Sequence, residues 1–144
     1  MTNYSDCYEI KELNENTCAS AINTCVNCGN TRCAIVCSSI DDLPSSDTLL
    51  QLCNIIGYDA GYLRNPFDDS IRVSMRGGSE ICFITYNNIL FYENVEFDEI
   101  LVYEKDRFTQ KQLEHLVLRL KKFQQGDENS VLDEFLNSFT TIKM

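Results

Sequence analysis

The stretch from Ile71 to Phe123 constrains the fold more than any other, because short apolar runs are followed at once by an amphipathic helix. Ile71, Val73 and Met75 alternate with Arg72, Ser74 and Arg76, the period of two of a strand with one wet face. Gly77-Gly78 then allows the positive φ angles of a tight hairpin. Ile81 to Ile84, Ile89 to Tyr92 after Asn87-Asn88, and Ile100 to Tyr103 are continuous apolar runs. Strands of that kind are expected to be covered on both faces.

The helix that follows is expected to supply one cover. Thr109 can accept from the N–H of Gln112 while the Gln112 side chain reaches back to the Thr109 N–H, a capping box, and Phe108 and Leu113 occupy the positions of a hydrophobic staple. Leu113, Leu116, Val117 and Leu120 form one stripe with Phe123 near its edge, and Lys111, His115 and Lys122 fall on the opposite side.

The rest of the chain reads less sharply. Tyr8 to Leu13 alternates weakly, as a strand does, and Arg32 to Ile40 reads as a buried strand that Asp41-Asp42-Leu43-Pro44 ends. Ser45-Ser46-Asp47 offers N-caps for a helix carrying Leu49, Leu50, Leu52, Cys53 and Ile56, with Gly57 as its stop. Tyr58 to Phe67 reads as an irregular connection. Gly126 is expected to end the capped helix, and Asn129-Ser130 to cap a last one bearing Val131, Leu132, Phe135, Leu136 and Phe139.

The sum is an α+β fold: an antiparallel sheet of about five strands, one helix inserted after the second strand, and two C-terminal helices. At 144 residues one domain is expected, with a polar, cysteine-rich segment at 1–31 ahead of a compact core at 32–144. The element order over residues 8–124 resembles that of longin- and roadblock-type modules of membrane-traffic complexes. That likeness rests on no motif residue and implies a binding role only.

Charge narrows the partners. A net charge of −10 and a pI near 4.4 argue against nucleic acid, since phosphate contacts need clustered Lys and Arg. Six of the twelve basic residues nevertheless fall within residues 105–122, which is either a solvated helix face or an anion-binding patch centred on Lys111, Arg119 and Lys122. No apolar run approaches the roughly 18 residues of a membrane span, and Met1 to Asp6 lacks the basic and apolar regions of a signal peptide. A cytoplasmic, reducing setting is expected.

The cysteines carry the one local pattern with metal chemistry. Cys25-Val26-Asn27-Cys28 can wrap Zn²⁺ through a tight turn, and Cys33 and Cys37 complete four candidate ligands. If Arg32 to Ser38 is a strand, however, Cys33 and Cys37 stand about 13 Å apart at about 3.3 Å per residue, too far to share an ion. Cys25-Val26-Asn27-Cys28-Gly29 and Phe91-Tyr92-Glu93-Asn94-Val95-Glu96-Phe97 resemble motifs of a zinc-binding family of Rab chaperones and exchange factors. The second cysteine pair of that family has no counterpart here, so the assignment is not carried. The alternatives are a thiol-redox pair, a disulfide framework, or thiols of which Cys53 and Cys82 act as small core residues.

Enzyme motifs are missing: there is no phosphate-binding G-x-x-x-x-G-K-[ST], no G-x-G-x-x-G, no G-x-S-x-G and no H-E-x-x-H. Asp41-Asp42 and Asp68-Asp69 read as turn residues rather than a Mg²⁺ site, and His115 as a surface residue rather than the base of a cysteine nucleophile. No cofactor is called for; zinc is the one ion with candidate ligands.

Three functional readings follow. The first is a non-enzymatic interaction or complex-assembly subunit, binding a protein partner or a second copy through a sheet edge or through the C-terminal face of Val131, Leu132, Phe135 and Phe139. The second is a zinc or thiol-redox protein using Cys25, Cys28, Cys33 and Cys37, and the third an acidic decoy for a basic protein surface.

Overall fold

A computed structural model describes residues 7–57, 60–92, 95–120 and 140–141. Seven strands form one sheet: β1 (Cys7–Ile10), β2 (Arg32–Cys37), β3 (Gly61–Arg64), β4 (Ile71–Ser74), β5 (Glu80–Thr85), β6 (Glu99–Tyr103) and the two-residue β7 (Thr140–Thr141). Their spatial order is β3-β4-β5-β2-β6-β1-β7. The helices are α1 (Ala19–Cys28), α2 (Ser46–Ile56) and α3 (Gln110–Val117). The class is α+β, with a helix after the second strand as the sequence implied.

Pairing differs from the expectation. Antiparallel pairing holds for β3 with β4 and β4 with β5, whereas β5-β2, β2-β6, β6-β1 and β1-β7 are all parallel. The continuous apolar runs carried that information, because strands buried on both faces belong to parallel sheets flanked by helices. The connection from Thr85 to Glu99 is long enough for a crossover, and its start, Tyr86–Tyr92, is a 3-10 turn instead of the expected strand. Asn88 anchors that turn by donating from Nδ2 to the Asp68 carbonyl at 3.0 Å, which leads the chain off the sheet while Ile89 stays buried.

Two apolar layers result. On one face Ala34, Val36, Cys82, Ile84, Ile100 and Val102 meet Leu113, Leu116 and Val117 of α3. On the other, Cys33, Ile35, Ile71, Val73, Ile81, Phe83 and Leu101 meet Cys18, Ala21, Ile22 and Cys25 around α1 and Leu49, Leu52 and Cys53 of α2. Strand β2 contributes to both layers by simple alternation.

Helix α1 and strand β3 were not read from the sequence, so the longin-like element order does not hold. Residues 7–28, read as a polar segment outside the core, instead place Ile10, Cys18, Ala21, Ile22 and Cys25 inside it. Asn, Thr and Ser are weak helix formers, which hid α1, yet 18, 21, 22 and 25 are the i, i+3, i+4, i+7 positions of a helix stripe once cysteine counts as apolar.

The capping box is present in both halves: Gln112 N–H donates to Thr109 Oγ1 at 3.1 Å, and Thr109 N–H to Gln112 Oε1 at 2.9 Å. Phe108 and Leu113 are both buried beside it. The helix ends sooner than expected, at Val117 rather than near Gly126. Phe97 takes over there, donating its N–H to the Arg119 carbonyl at 2.7 Å and forming a parallel bridge with Leu120. The last helix expected at Asn129 lies outside the described residues.

Replacing Thr109 with alanine is expected to cost about 1 kcal/mol in urea unfolding, and Thr109→Ser to retain most of that stability, because α3 is the described helical cover of its face.

Candidate interaction surface and the cysteine cluster

Among the described residues the sheet extends further than one of its covers. The α3 layer reaches Cys82 and Ile84 of β5, and its cluster includes no residue of β4 or β3. Antiparallel partners share a face, so Leu63 opposite Arg72 and Gly61 opposite Ser74 lie on that uncovered side, while Val73 and Ile71 turn to the α1–α2 side. The result is a shallow groove of about 770 Å³ lined by Gly61, Tyr62, Leu63, Arg72, Ser74 and Met75, with Arg76 at its end.

Strand β3 ends the sheet among the described residues, so one side of its backbone is not used by β4. Leu63 is 75% exposed and Phe67, in the turn that follows, 95% exposed. Asn65 and Asp68 build that turn: Asn65 Oδ1 accepts from Phe67 N–H at 2.9 Å, and Asp68 Oδ1 accepts from Ser70 N–H at 2.9 Å and Ser70 Oγ at 2.7 Å. These are the short-range bonds by which Asx residues fix turns, and they hold Phe67 out from the surface. Asp68 is thereby a turn residue, as the sequence implied. Arg64, Arg72 and Arg76 balance Asp68, Asp69 and Glu80 between residues 61 and 80, so this edge is neutral in a chain of net charge −10. Arg72 Nε lies 3.3 Å from Glu80 Oε2, and Arg64 donates to the Pro44 carbonyl at 3.3 Å.

The sequence-derived partner residues are not assembled in this way. Lys111 is exposed on α3, but Arg119 lies beyond the helix end, in the turn beside Phe97, and is half-buried. Val131, Leu132, Phe135, Phe139 and Lys122 lie outside the described residues. Arg107, from the same basic stretch, is engaged by Asp42 at 2.8 Å and Glu104 at 2.8 Å. Asp42 also accepts from Ser38 and Ser39 at 3.3 Å each, so it too acts as a structural turn residue. His115 is exposed, with Nδ1 2.6 Å from Tyr86 Oη and the two rings stacked.

The four candidate zinc ligands separate into three places. Cys25 in the last turns of α1 and Cys33 at the start of β2 meet inside the core, Sγ to Sγ 3.6 Å. Cys28 is exposed at the end of α1. Cys37 shares the Cys33 face of β2 at the far end of the strand, where its Sγ approaches the Asp42 carbonyl at 3.8 Å. Among the described residues no three His, Cys, Asp or Glu side chains gather to hold a metal ion.

Loop geometry builds a cleft over Cys25. Asn30, at φ 51°, donates its N–H to the Gly77 carbonyl at 2.9 Å. Buried Ser79 donates to the Cys25 carbonyl at 3.0 Å and accepts from Thr31 N–H at 3.1 Å. These bonds fasten the β4–β5 hairpin to the end of α1. Gly77 and Gly78 take φ of 90° and 84°, the hairpin conformation read from the sequence, and a Cβ on Gly78 would press to 3.1 Å from Asn30 Oδ1. Cys25, Val26, Gly29, Ile56, Gly57 and the hairpin line a cleft of about 460 Å³.

Electrostatics divides the thiols. The hydrogen-bonded contact between the two sulfurs pulls the Cys25 thiol below its ordinary range, while the same contact, then burial, pushes Cys33 up. Burial raises Cys18, Cys37 and Cys82 to about 12 each. Buried Glu99 on β6 stands near the pair, accepting from Ser20 Oγ at 3.2 Å and Thr24 Oγ1 at 2.9 Å.

Comparison with protein families, with characterised proteins and with solved structures finds no match to this chain.

The raised thiols fix the sign of an alkaline effect. Cys18, Cys37 and Cys82 stay protonated in the fold up to about 12 but ionise from about 8.5 when unfolded, so the stability they provide is complete below that pH and lost as pH rises. Urea midpoints are expected to fall steeply above about pH 9, and Cys82→Val to flatten the slope by up to about 1.4 kcal/mol per pH unit.

Proposed function

We propose that this chain is a non-enzymatic protein–protein interaction subunit that receives an extended segment of a partner protein along the β3 edge. The observation that carries the reading is the edge itself: a terminal strand with an open backbone side, next to two large apolar side chains held in water. Leu63 and Phe67 would each gain roughly 1.5–3 kcal/mol if fully buried. Addition of a strand to a sheet edge draws affinity from main-chain bonds and specificity from alternate side chains. On the uncovered side those side chains would lie over Leu63, which favours a segment that places an apolar residue there.

The edge also carries features that limit indiscriminate pairing. It is four residues long, begins at Gly61 and ends at Arg64, and such short, charged edges resist self-association. Selective capture of a matching segment is favoured over open-ended stacking. A reducing compartment such as the cytoplasm suits a chain that keeps Cys18, Cys33, Cys37 and Cys82 as buried thiols.

The test is quantitative retention of partner proteins on the immobilised chain, native against a Leu63→Asp/Phe67→Asp double variant. Both sites are exposed, so the variant is expected to keep its thermal midpoint while retention falls at least about tenfold, the loss of about 1.4 kcal/mol. Equal retention of the same proteins by both chains would sink the reading.

A further inference from the structure

We propose that Cys25 and Cys33 form an oxidisable dithiol, in which a small hydroperoxide entering the cleft beside α1 reacts at Cys25 and Cys33 resolves the product to an internal disulfide. This stands independently of the β3 edge. Three observations carry it. The two sulfurs lie 3.6 Å apart, so a disulfide of about 2.05 Å needs a closure of only about 1.6 Å. Among the described residues this is the pair of cysteines whose sulfurs meet, although Cys18, Cys37 and Cys82 are also buried. Both thiols are buried, Cys25 at 2% exposure and Cys33 at 0%, but Cys25 lines the cleft of about 460 Å³ and Cys33 does not.

The order of events follows from that placement. The Cys25 thiolate sulfur attacks one peroxide oxygen; the O–O bond breaks, an S–O bond forms, and the departing oxygen leaves as hydroxide or alkoxide and takes up a proton. Cys33 then loses its proton and attacks the Cys25 sulfur; the S–S bond forms and the S–O bond breaks, releasing water. Two electrons pass from the two thiols to the peroxide. The contact with Cys33 lowers the Cys25 thiol and so favours Cys25 as the attacking species, in agreement with the cleft. The loop between them, Gly29 to Thr31, is pinned by Asn30 and Ser79 to the β4–β5 hairpin, so the bridge would tie α1 to β2 without moving either far.

The experiment uses the full reduced chain and hydrogen peroxide. Samples are quenched with N-ethylmaleimide over time, and each cysteine is quantified by mass spectrometry of non-reduced peptides. Cys25 and Cys33 are expected to disappear together, at least about tenfold faster than Cys18, Cys37 and Cys82, leaving six of the eight thiols and a Cys25–Cys33 linked species that dithiothreitol reverses. Cys28→Ser, at an exposed position, should leave that rate unchanged, while Cys33→Ser should stop at a dimedone-reactive sulfenic acid on Cys25. A disulfide mapping to any other pair overturns the proposal, as does loss of Cys25 at the pace of the other buried thiols, and the native-chain time course decides this even if Cys33→Ser fails to fold.

Discussion

Burial of β2 on both faces is the constraint from which the rest of the molecule follows. Its five residues from Cys33 to Cys37 are buried without exception, and it pairs with β5 on one side and β6 on the other. A strand in that position needs an apolar layer above and below, because its two sets of side chains point in opposite directions. Ala34 and Val36 therefore demand α3, while Cys33 and Ile35 demand α1 and α2. At its entry the strand is fixed by charge: Arg32 N–H donates to Asp98 at 2.9 Å and its guanidinium to Glu80 at 2.6 Å, which ties β2 to the starts of both neighbours. Register across the centre of the sheet is thereby set, and a one-residue slip would reverse both layers.

The unequal reach of the two covers shapes the surface. The layer on the α1–α2 side extends over β4 through Ile71 and Val73, so one face of the sheet is apolar nearly to its edge. The α3 layer stops at β5. The difference leaves Leu63 and Arg72 facing water, and the Asn65 and Asp68 turn holds Phe67 beside them. An edge of this kind results from the number of strands exceeding the width of the helix packed on them, not from any special sequence motif.

Cysteine acts here chiefly as a small apolar side chain. Cys18, Cys25, Cys33, Cys53 and Cys82 sit at core positions between helix and sheet, where their size permits close approach. The same closeness brings two of them together where α1 crosses β2. The pattern that looked like four metal ligands along the chain is thus divided by geometry: a strand spreads Cys33 from Cys37, and the helix end turns Cys28 outward while Cys25 points in.

Elements that draw their identity from local chemistry were legible in the sequence. The capping box at Thr109, the Ser45 cap and Gly57 stop of α2, the alternation of β4 and the Gly77-Gly78 hairpin depend on bonds and φ angles within a few residues, and each formed where its residues stood. Strand direction, the early end of α3 at Val117 and the inclusion of residues 7–28 in the core depend on partners far away in the chain. Phe97 ends a helix that Leu118 to Phe123 would favour continuing, and β6 separates β1 from β2 although α1 alone joins them. The candidate edge was hidden for the same reason: nothing within Gly61 to Phe67 says whether a helix reaches it. The sequence determined which segments must be buried on two sides; only the tertiary structure decided how far each cover extends, because that is set by the width of packed layers rather than by any local pattern.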